Sequence, residues 1–229
     1  MSLLSRLIQF VIVTCSKYRI DESHGLSHSM NILHYADNIY QSELIKHPSL
    51  KKQERVIYVS AIIHDMCDKK YMNEEEGIQN IEDFLKETIT ADEIETTKKI
   101  ISTMSYSKVM KQGFPRLETA EKQLAYHVVR EADLLTAYDF DRCMIYHIHT
   151  MQKYQNQNQH QKKPETNTNI SIETTFENAV KIFQSRVFRH NDNGLLTTEY
   201  SIRESKHLET VAHQRIQSWR NILKRPTMS

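Results

Sequence analysis

Two imidazoles and two carboxylates stand out for the metal chemistry they could do together: His28, the adjacent pair His64 and Asp65, and Asp133. Mixed nitrogen and oxygen ligation of this kind holds one divalent cation and leaves positions open for water. It suits manganese, magnesium, iron, cobalt or nickel better than a closed tetrahedral zinc. No further histidine cluster asks for a second ion. A His-Asp dipeptide carries little meaning alone, and its setting supplies the weight. Val56, Ile57, Val59, Ala61, Ile62 and Ile63 are apolar on nearly every side of a helix, so that helix is buried all round and delivers His64 and Asp65 at its end. Burying an imidazole and a carboxylate there is costly without partners, and a cation is one such partner.

The elements that must bring these groups together read as helices. Apolar residues recur at helical spacing over about 2–16, 24–46, 51–67, 73–87, 91–111 and 118–150, and sustained strand alternation is absent. Glu22, His24 and His28 precede the apolar positions Met30, Leu33, Ala36 and Ile39, while Asp133 sits inside the pattern Leu124, Val128, Leu135, Tyr138. Helices crossing in a bundle aim such inward polar groups at one point. Thr90 followed by Glu93 reads as a capping box, and Gly113, Phe114 and Pro115 break the chain before the sixth segment. The stretch 152–169 is rich in Gln and Asn and nearly free of apolar residues, which predicts a flexible polar loop. Beyond it, Phe176, Val180, Phe183 and Val187, a turn at Asn193 and Gly194, then Leu208, Val211, Arg215 and Trp219 predict C-terminal helices over 173–225 that pack back onto the first body.

Composition narrows the class. Among 229 residues, 39% hydrophobic content is enough to close a core, and only four Gly and four Pro leave little turn chemistry for a β-sandwich or a glycine-rich phosphate loop. The expected fold is all-α, one domain over 1–229. Thirty Lys and Arg against 29 Asp and Glu give a net charge of +1, so no global field draws the chain to nucleic acid or an anionic membrane. Cys15, Cys67 and Cys143 are an odd three with no C-x-x-C spacing, which suits a reducing, cytoplasmic compartment. The apolar start at Leu3, Leu4, Leu7, Ile8, Val11 and Ile12 is interrupted by Arg6 and Gln9, and reads as a helix face buried within a monomer or in a homodimer rather than as a signal or a span.

Three stretches, HGLSHSMNILHYA, AIIHDMCDKKY and VVREADLLTAYD, resemble the HD-domain metal-dependent phosphohydrolases, whose signature is H...HD...D on a compact helical domain. The resemblance covers about residues 20–190. The separations of 36 residues from His28 to His64 and 68 from Asp65 to Asp133 look like those of the small stand-alone members. It implies metal ligation by His28, His64, Asp65 and Asp133. It also places Asp68 near the bound water, as a group that orients it or carries its proton, the alternative being an ion pair with Lys69 or Lys70. Lys70 and Arg130 are implied phosphate contacts, against a merely solvated lysine and a salt-bridged arginine. His24, one turn before His28, is a substrate-phosphate or outer group, or else a histidine near a helix start. His127 reads as a core or groove histidine, and Ser105, Tyr106 and Ser107 resemble a weak polar motif of the pocket. Where relatives tend to have A-D-R-L-D, Leu134 and Thr136 replace an arginine and an acid; this spares the metal ligand and bears on the substrate.

The implied reaction is hydrolysis of a phosphorylated small molecule by metal-activated water, with Asp65 and Asp68 as the catalytic carboxylates. A nucleoside triphosphate cleaved to monophosphate and pyrophosphate is the expected substrate, with nucleoside monophosphate dephosphorylation as the alternative. Alarmone hydrolysis ranks below both, since the extra domains of those relatives are lacking. A non-catalytic metal-containing regulatory module is the reading from a different class.

Overall fold

The computed structural model describes residues 1–160 and 171–225. In chain order its helices are α1 (Leu3–Tyr18), α2 (Leu26–Lys46), a 3-10 segment (Pro48–Gln53), α3 (Glu54–Ile63), α4 (Glu74–Leu85) and α5 (Ala91–Thr103). They continue as α6 (Tyr106–Gln112), α7 (Ala120–Thr136), α8 (Phe140–His160), α9 (Ile172–Ser185), a 3-10 turn (Val187–Arg189) and α10 (Glu199–Leu223). No strand occurs among the described residues, so the chain is all-α. No helix among them is long and apolar enough to cross a membrane.

Side-chain caps define most helix starts. Asn73 accepts from Glu76 N at 3.0 Å ahead of a first turn that holds Glu74, Glu75 and Glu76, a charge arrangement favoured by the helix dipole. The capping box of Thr90 and Glu93 is present as expected. Gly113 adopts φ +74 between α6 and α7, and Gly194 φ +64 in the turn before α10.

Helices α2, α3 and α7 cross around Ile32, Ala36, Ile39, Ile57, Ala61, Val128 and Ala132, all fully buried. A second apolar cluster joins α1, α4 and α5 to the other side of α3 through Leu7, Val11, Val59, Ile63, Ile81 and Leu85. A third unites α8, α9 and α10 around Phe140, Phe176, Phe183 and Ile216. Leu208 of α10 touches both the first and the third cluster, and that is how the C-terminal helices return to the body.

Several expected boundaries move, each for a local reason. The segment 91–111 divides at Met104: the hydroxyls of Ser102 and Thr103 bond back to Lys99 O, and Lys108 Nζ takes Ser102 O at 2.7 Å, closing α5 before α6 starts. The segment 118–150 divides between Thr136 and Phe140. There Thr136 Oγ1 bonds to Asp133 O at 2.8 Å, and Asp139 Oδ1 receives the N–H of Arg142 at 3.0 Å and so caps α8. The segment 51–67 opens as 3-10 helix and ends at Ile63. The polar loop expected over 152–169 is overtaken by α8, which continues to His160; glutamine is a good helix former, and a helix already nucleated by packing extends at low cost. The remainder of that stretch, 161–169, lies outside the described residues.

Two apolar faces are narrower than their periodicity implies. On α1, Leu7 and Val11 are buried, while Leu4 and Ile12 stay 47% and 44% exposed. On α2, Met30 points outward and the buried stripe runs through His28, Ile32, Ala36, Ile39 and Tyr40.

Candidate metal centre

Helix crossing brings the ends of α2, α3 and α7 together. His28 lies in the first turn of α2, His64 and Asp65 follow the last residue of α3, and Asp133 occupies the last turn of α7. His28, His64 and Asp65 each offer a ligand atom, and these atoms lie within 4.8 Å of one another. His28 Nε2 is 3.3 Å from Asp65 Oδ2 and 3.6 Å from Asp133 Oδ1; His64 Nε2 is 3.1 Å from Asp65 Oδ2. Asp133 therefore borders the triad through His28.

The donor chemistry fits a cation. His64 Nε2 and Asp65 Oδ2 are buried without a directed hydrogen bond, although 3.1 Å separates them. Uncompensated polar atoms of this kind are costly, and a cation between them would satisfy both. His64 Nδ1 lies 3.1 Å from Ala61 O, so its N–H donates to that carbonyl, and in the neutral ring Nε2 has its lone pair free for a metal.

Electrostatics differ sharply between the two imidazoles. Burial, reinforced by Arg142, pulls His28 down to about 4, so this ring is neutral. Burial also opposes charge on His64, but the carboxylates of Asp65 and Asp133 overcome it and raise His64 to about 9. Asp65 is held well below the usual carboxylate range: desolvation works against the anion, and His64, His24 and His28 outweigh it.

A polar shell surrounds the triad. Lys70 Nζ stands 3.1 Å from Asp68 Oδ2 and 3.1 Å from His24 Nε2, and its cation lies 5.4 Å from the Tyr146 ring centre. Asp68 Oδ1 also accepts from Lys70 N at 2.9 Å, the ion pair with Lys70 that the sequence left open. Asp65 and Asp68 share one turn, in which Asp68 N donates to Asp65 O at 3.1 Å. The His24 ring is fixed at its other nitrogen, 2.7 Å from Ser23 Oγ and 3.1 Å from Tyr71 Oη, while Tyr71 donates to Asp21 at 2.7 Å. Since Lys70 can only donate, Nε2 of His24 accepts and Nδ1 carries the hydrogen.

Arg130 goes elsewhere. Only 1% exposed, it lies between Phe114 and Tyr126 and pairs with Glu131 Oε1 at 3.1 Å, with His127 Nδ1 at 3.3 Å. A guanidinium so enclosed matches the salt-bridge reading and not a phosphate contact. His127 is partly buried beside it, and burial lowers it to about 4. Leu134 is buried with Val109, Leu195 and Leu196, and Tyr106 packs on that cluster; Thr136 is turned to its own helix backbone. Neither departure from the family pattern faces the triad.

Sequence reasoning missed Arg142, Arg186, Asp21 and Tyr71. Arg142 Nη1 reaches Ser23 O at 3.0 Å and His28 Nδ1 at 2.8 Å across more than a hundred residues of chain, a contact that no local spacing encodes. Asp21 had a signal in the Asp-x-Ser turn ahead of α2, where its carboxylate receives Ser23 N at 3.1 Å. A separate surface groove of about 550 Å³, lined among others by Asp92, Glu95, Lys98 and Lys122, contains none of these residues, and its two named lysines are paired with carboxylates.

No protein-family model matches the chain, and no curated protein matches it. A crystal structure of a structural-genomics target from Lactobacillus plantarum is similar over 95% of both chains, with a TM-score of 0.65 at 18% identity. At that identity the likeness concerns the fold alone.

Proposed function

We propose that this protein is a metal-dependent phosphohydrolase acting on a nucleotide, cleaving a nucleoside triphosphate to monophosphate and pyrophosphate, with nucleoside monophosphate dephosphorylation as the alternative reaction. The observation that carries the reading is the pair of buried, hydrogen-bond-deficient atoms His64 Nε2 and Asp65 Oδ2 facing His28. The resemblance of the three stretches around these ligands to the HD-domain family supports it.

His28, His64, Asp65 and Asp133 would hold one manganese, magnesium, iron, cobalt or nickel ion. Such an ion, when bound, lowers the pKa of a coordinated water and polarises a phosphoryl oxygen. The chain's own residues supply the rest. Ala61 O fixes the His64 tautomer, and Asp65 stays ionised because the imidazoles of His64, His24 and His28 favour its charge. Lys70 is set beside the triad by Asp68 and His24, and burial lowers its pKa less than Asp68 and Asp65 raise it, so it offers a full positive charge to phosphate. Asp68 acts through Lys70 and is placed to take a proton when substrate draws that lysine away.

One observation favours the regulatory reading instead: Lys70 engages both oxygens of Asp68, so this carboxylate is already paired and does not stand free as a general base. Metal analysis of the purified protein, followed by a nucleotide panel with manganese, tests the proposal. Bound metal, release of pyrophosphate or orthophosphate, and loss of both metal and turnover in His64→Ala and Asp65→Ala are expected. Turnover retained in either variant would overturn the assignment, and bound metal with no turnover on any nucleotide would favour the regulatory module.

A further inference from the structure

The two ring systems of the triad are supported by partners of opposite polarity. His64 Nδ1 faces a carbonyl, the acceptor that a metal-binding imidazole needs. His28 Nδ1 faces Arg142 Nη1 at 2.8 Å, and the same nitrogen lies 3.1 Å from His28 Nε2. A nitrogen this close to both ring nitrogens lies over the ring and not in line with the in-plane lone pair of either, so the guanidinium is seated on the imidazole face. A cation held by His28 would place a second positive charge against it, so cation binding and this contact oppose one another.

Arg142 forms no ion pair with a carboxylate among the described residues; Ser23 O at 3.0 Å is its other anchor. The side chain of Arg186, just past the end of α9, forms neither a hydrogen bond nor an ion pair among them. Its guanidinium lies 3.9 Å from the centre of the Tyr106 ring, within electrostatic reach of Asp133 and Arg142. In a chain with a net charge of +1, two carboxylate-free guanidinium groups beside one metal triad are a local excess.

We propose that Arg142 is an anion-binding arm parked on the metal ligand His28, that cation binding releases it, and that with Arg186 it then takes a phosphate group of the substrate. The proposal rests on the metal reading of the triad given above. It makes cation and phosphate bind with positive linkage, since each removes a cost that the other would otherwise meet. It also names the substrate class: an ester or anhydride with one phosphate at the metal and another within reach of the arginine pair.

Manganese binding to the full chain, read by electron paramagnetic resonance with and without inorganic phosphate and corrected for the complex formed in solution, tests this without reference to turnover. In the wild type, phosphate is expected to tighten manganese binding on the order of tenfold. Arg142→Gln is expected to bind manganese alone several-fold more tightly than the wild type and to lose most of the phosphate effect. Arg142→Lys keeps the charge, and is expected to stay closer to the wild type than the Gln variant in the absence of phosphate. Arg186→Gln should weaken the phosphate effect and raise manganese binding alone less than Arg142→Gln does. Circular dichroism melting checks that each variant is folded. Wild-type manganese affinity in Arg142→Gln, or a full phosphate effect in it, would overturn the proposal. So would equal tightening in the Gln and Lys variants, which would show that the charge of Arg142 does not oppose the cation. If the wild type takes up no manganese at all, the metal reading fails and this proposal with it. Manganese uptake with indistinguishable variants removes only the arm.

Discussion

Gly77 of α4 presses against Cys67, two residues beyond the candidate ligand Asp65: a methyl group at Gly77 would stand 2.7 Å from Cys67 Cα and 2.9 Å from Met72 Sδ. The helix thereby backs the turn that presents His64 and Asp65. Gly77→Ala is expected to destabilise the protein by about 2 kcal/mol through overpacking, despite the better helix propensity of alanine. Because the Cys67 backbone must give way, metal affinity should fall as well. Urea denaturation and metal titration of the variant check this; a gain in stability would show that the turn is free to shift.

Glu131 is fully buried and joins α7 to α10. Its Oε1 accepts from the N–H and hydroxyl of Thr197 at 2.9 and 2.6 Å, and its Oε2 from those of Thr198 at 3.1 and 2.8 Å. Thr198 is the N-cap of α10, and Arg130 pairs with the same carboxylate. Glu131→Ala should cost about 3–5 kcal/mol, because it leaves a buried guanidinium without its counter-charge. Glu131→Gln turns an NH2 group toward donors and should cost part of that. Equal melting temperatures for wild type and the Ala variant would refute the anchor.

Metal uptake should release one proton. With His64 raised to about 9 and His28 lowered to about 4, the metal-free protein at pH 7 carries a proton on His64 and none on His28. Manganese affinity is therefore expected to rise up to about tenfold per pH unit between 7 and 9 and to flatten above. Calorimetry in two buffers of different ionisation enthalpy counts the proton. The same raised pKa stabilises the metal-free fold below the unfolded value of 6.5, and this contribution is lost as pH rises through about 9.

His190 has the opposite sign. Both ring nitrogens are buried without partners, the ring packs 5.6 Å from Tyr138, and burial, reinforced by Arg186, lowers it to about 3. Between pH 6.5 and about 3 the unfolded chain takes up a proton that the folded state refuses, so acid destabilises the fold. His190→Phe keeps the aromatic packing and removes the titration. Relative to the wild type it should gain about 2 kcal/mol on going from pH 7 to pH 5, measured by denaturant unfolding. A constant difference across that range would count against the assignment.

Helix periodicity made most of the fold legible. The buried-all-round pattern from Val56 to Ile63 identified α3 and placed His64 and Asp65 at its end, because apolar spacing is a local property of a helix face. The breaks at Met104 and at Tyr138 escaped notice. They depend on hydroxyl and carboxylate caps whose residues also occur within helices, so the pattern on either side reads as continuous.

At the candidate site, residue type and order sufficed to nominate His28, His64, Asp65 and Asp133, and the short-range grouping of Asp68 with Lys70 lay within one turn of chain. Which arginine stands at the triad was decided only by tertiary structure. Arg130 shares a helix with Asp133 yet is drawn into the core by Glu131, whereas Arg142 belongs to the next helix and reaches His28. Periodicity fixes which face of a helix is buried, but the direction of a long charged side chain is settled by where its counter-charges lie in space, and those come from elements far apart in the chain.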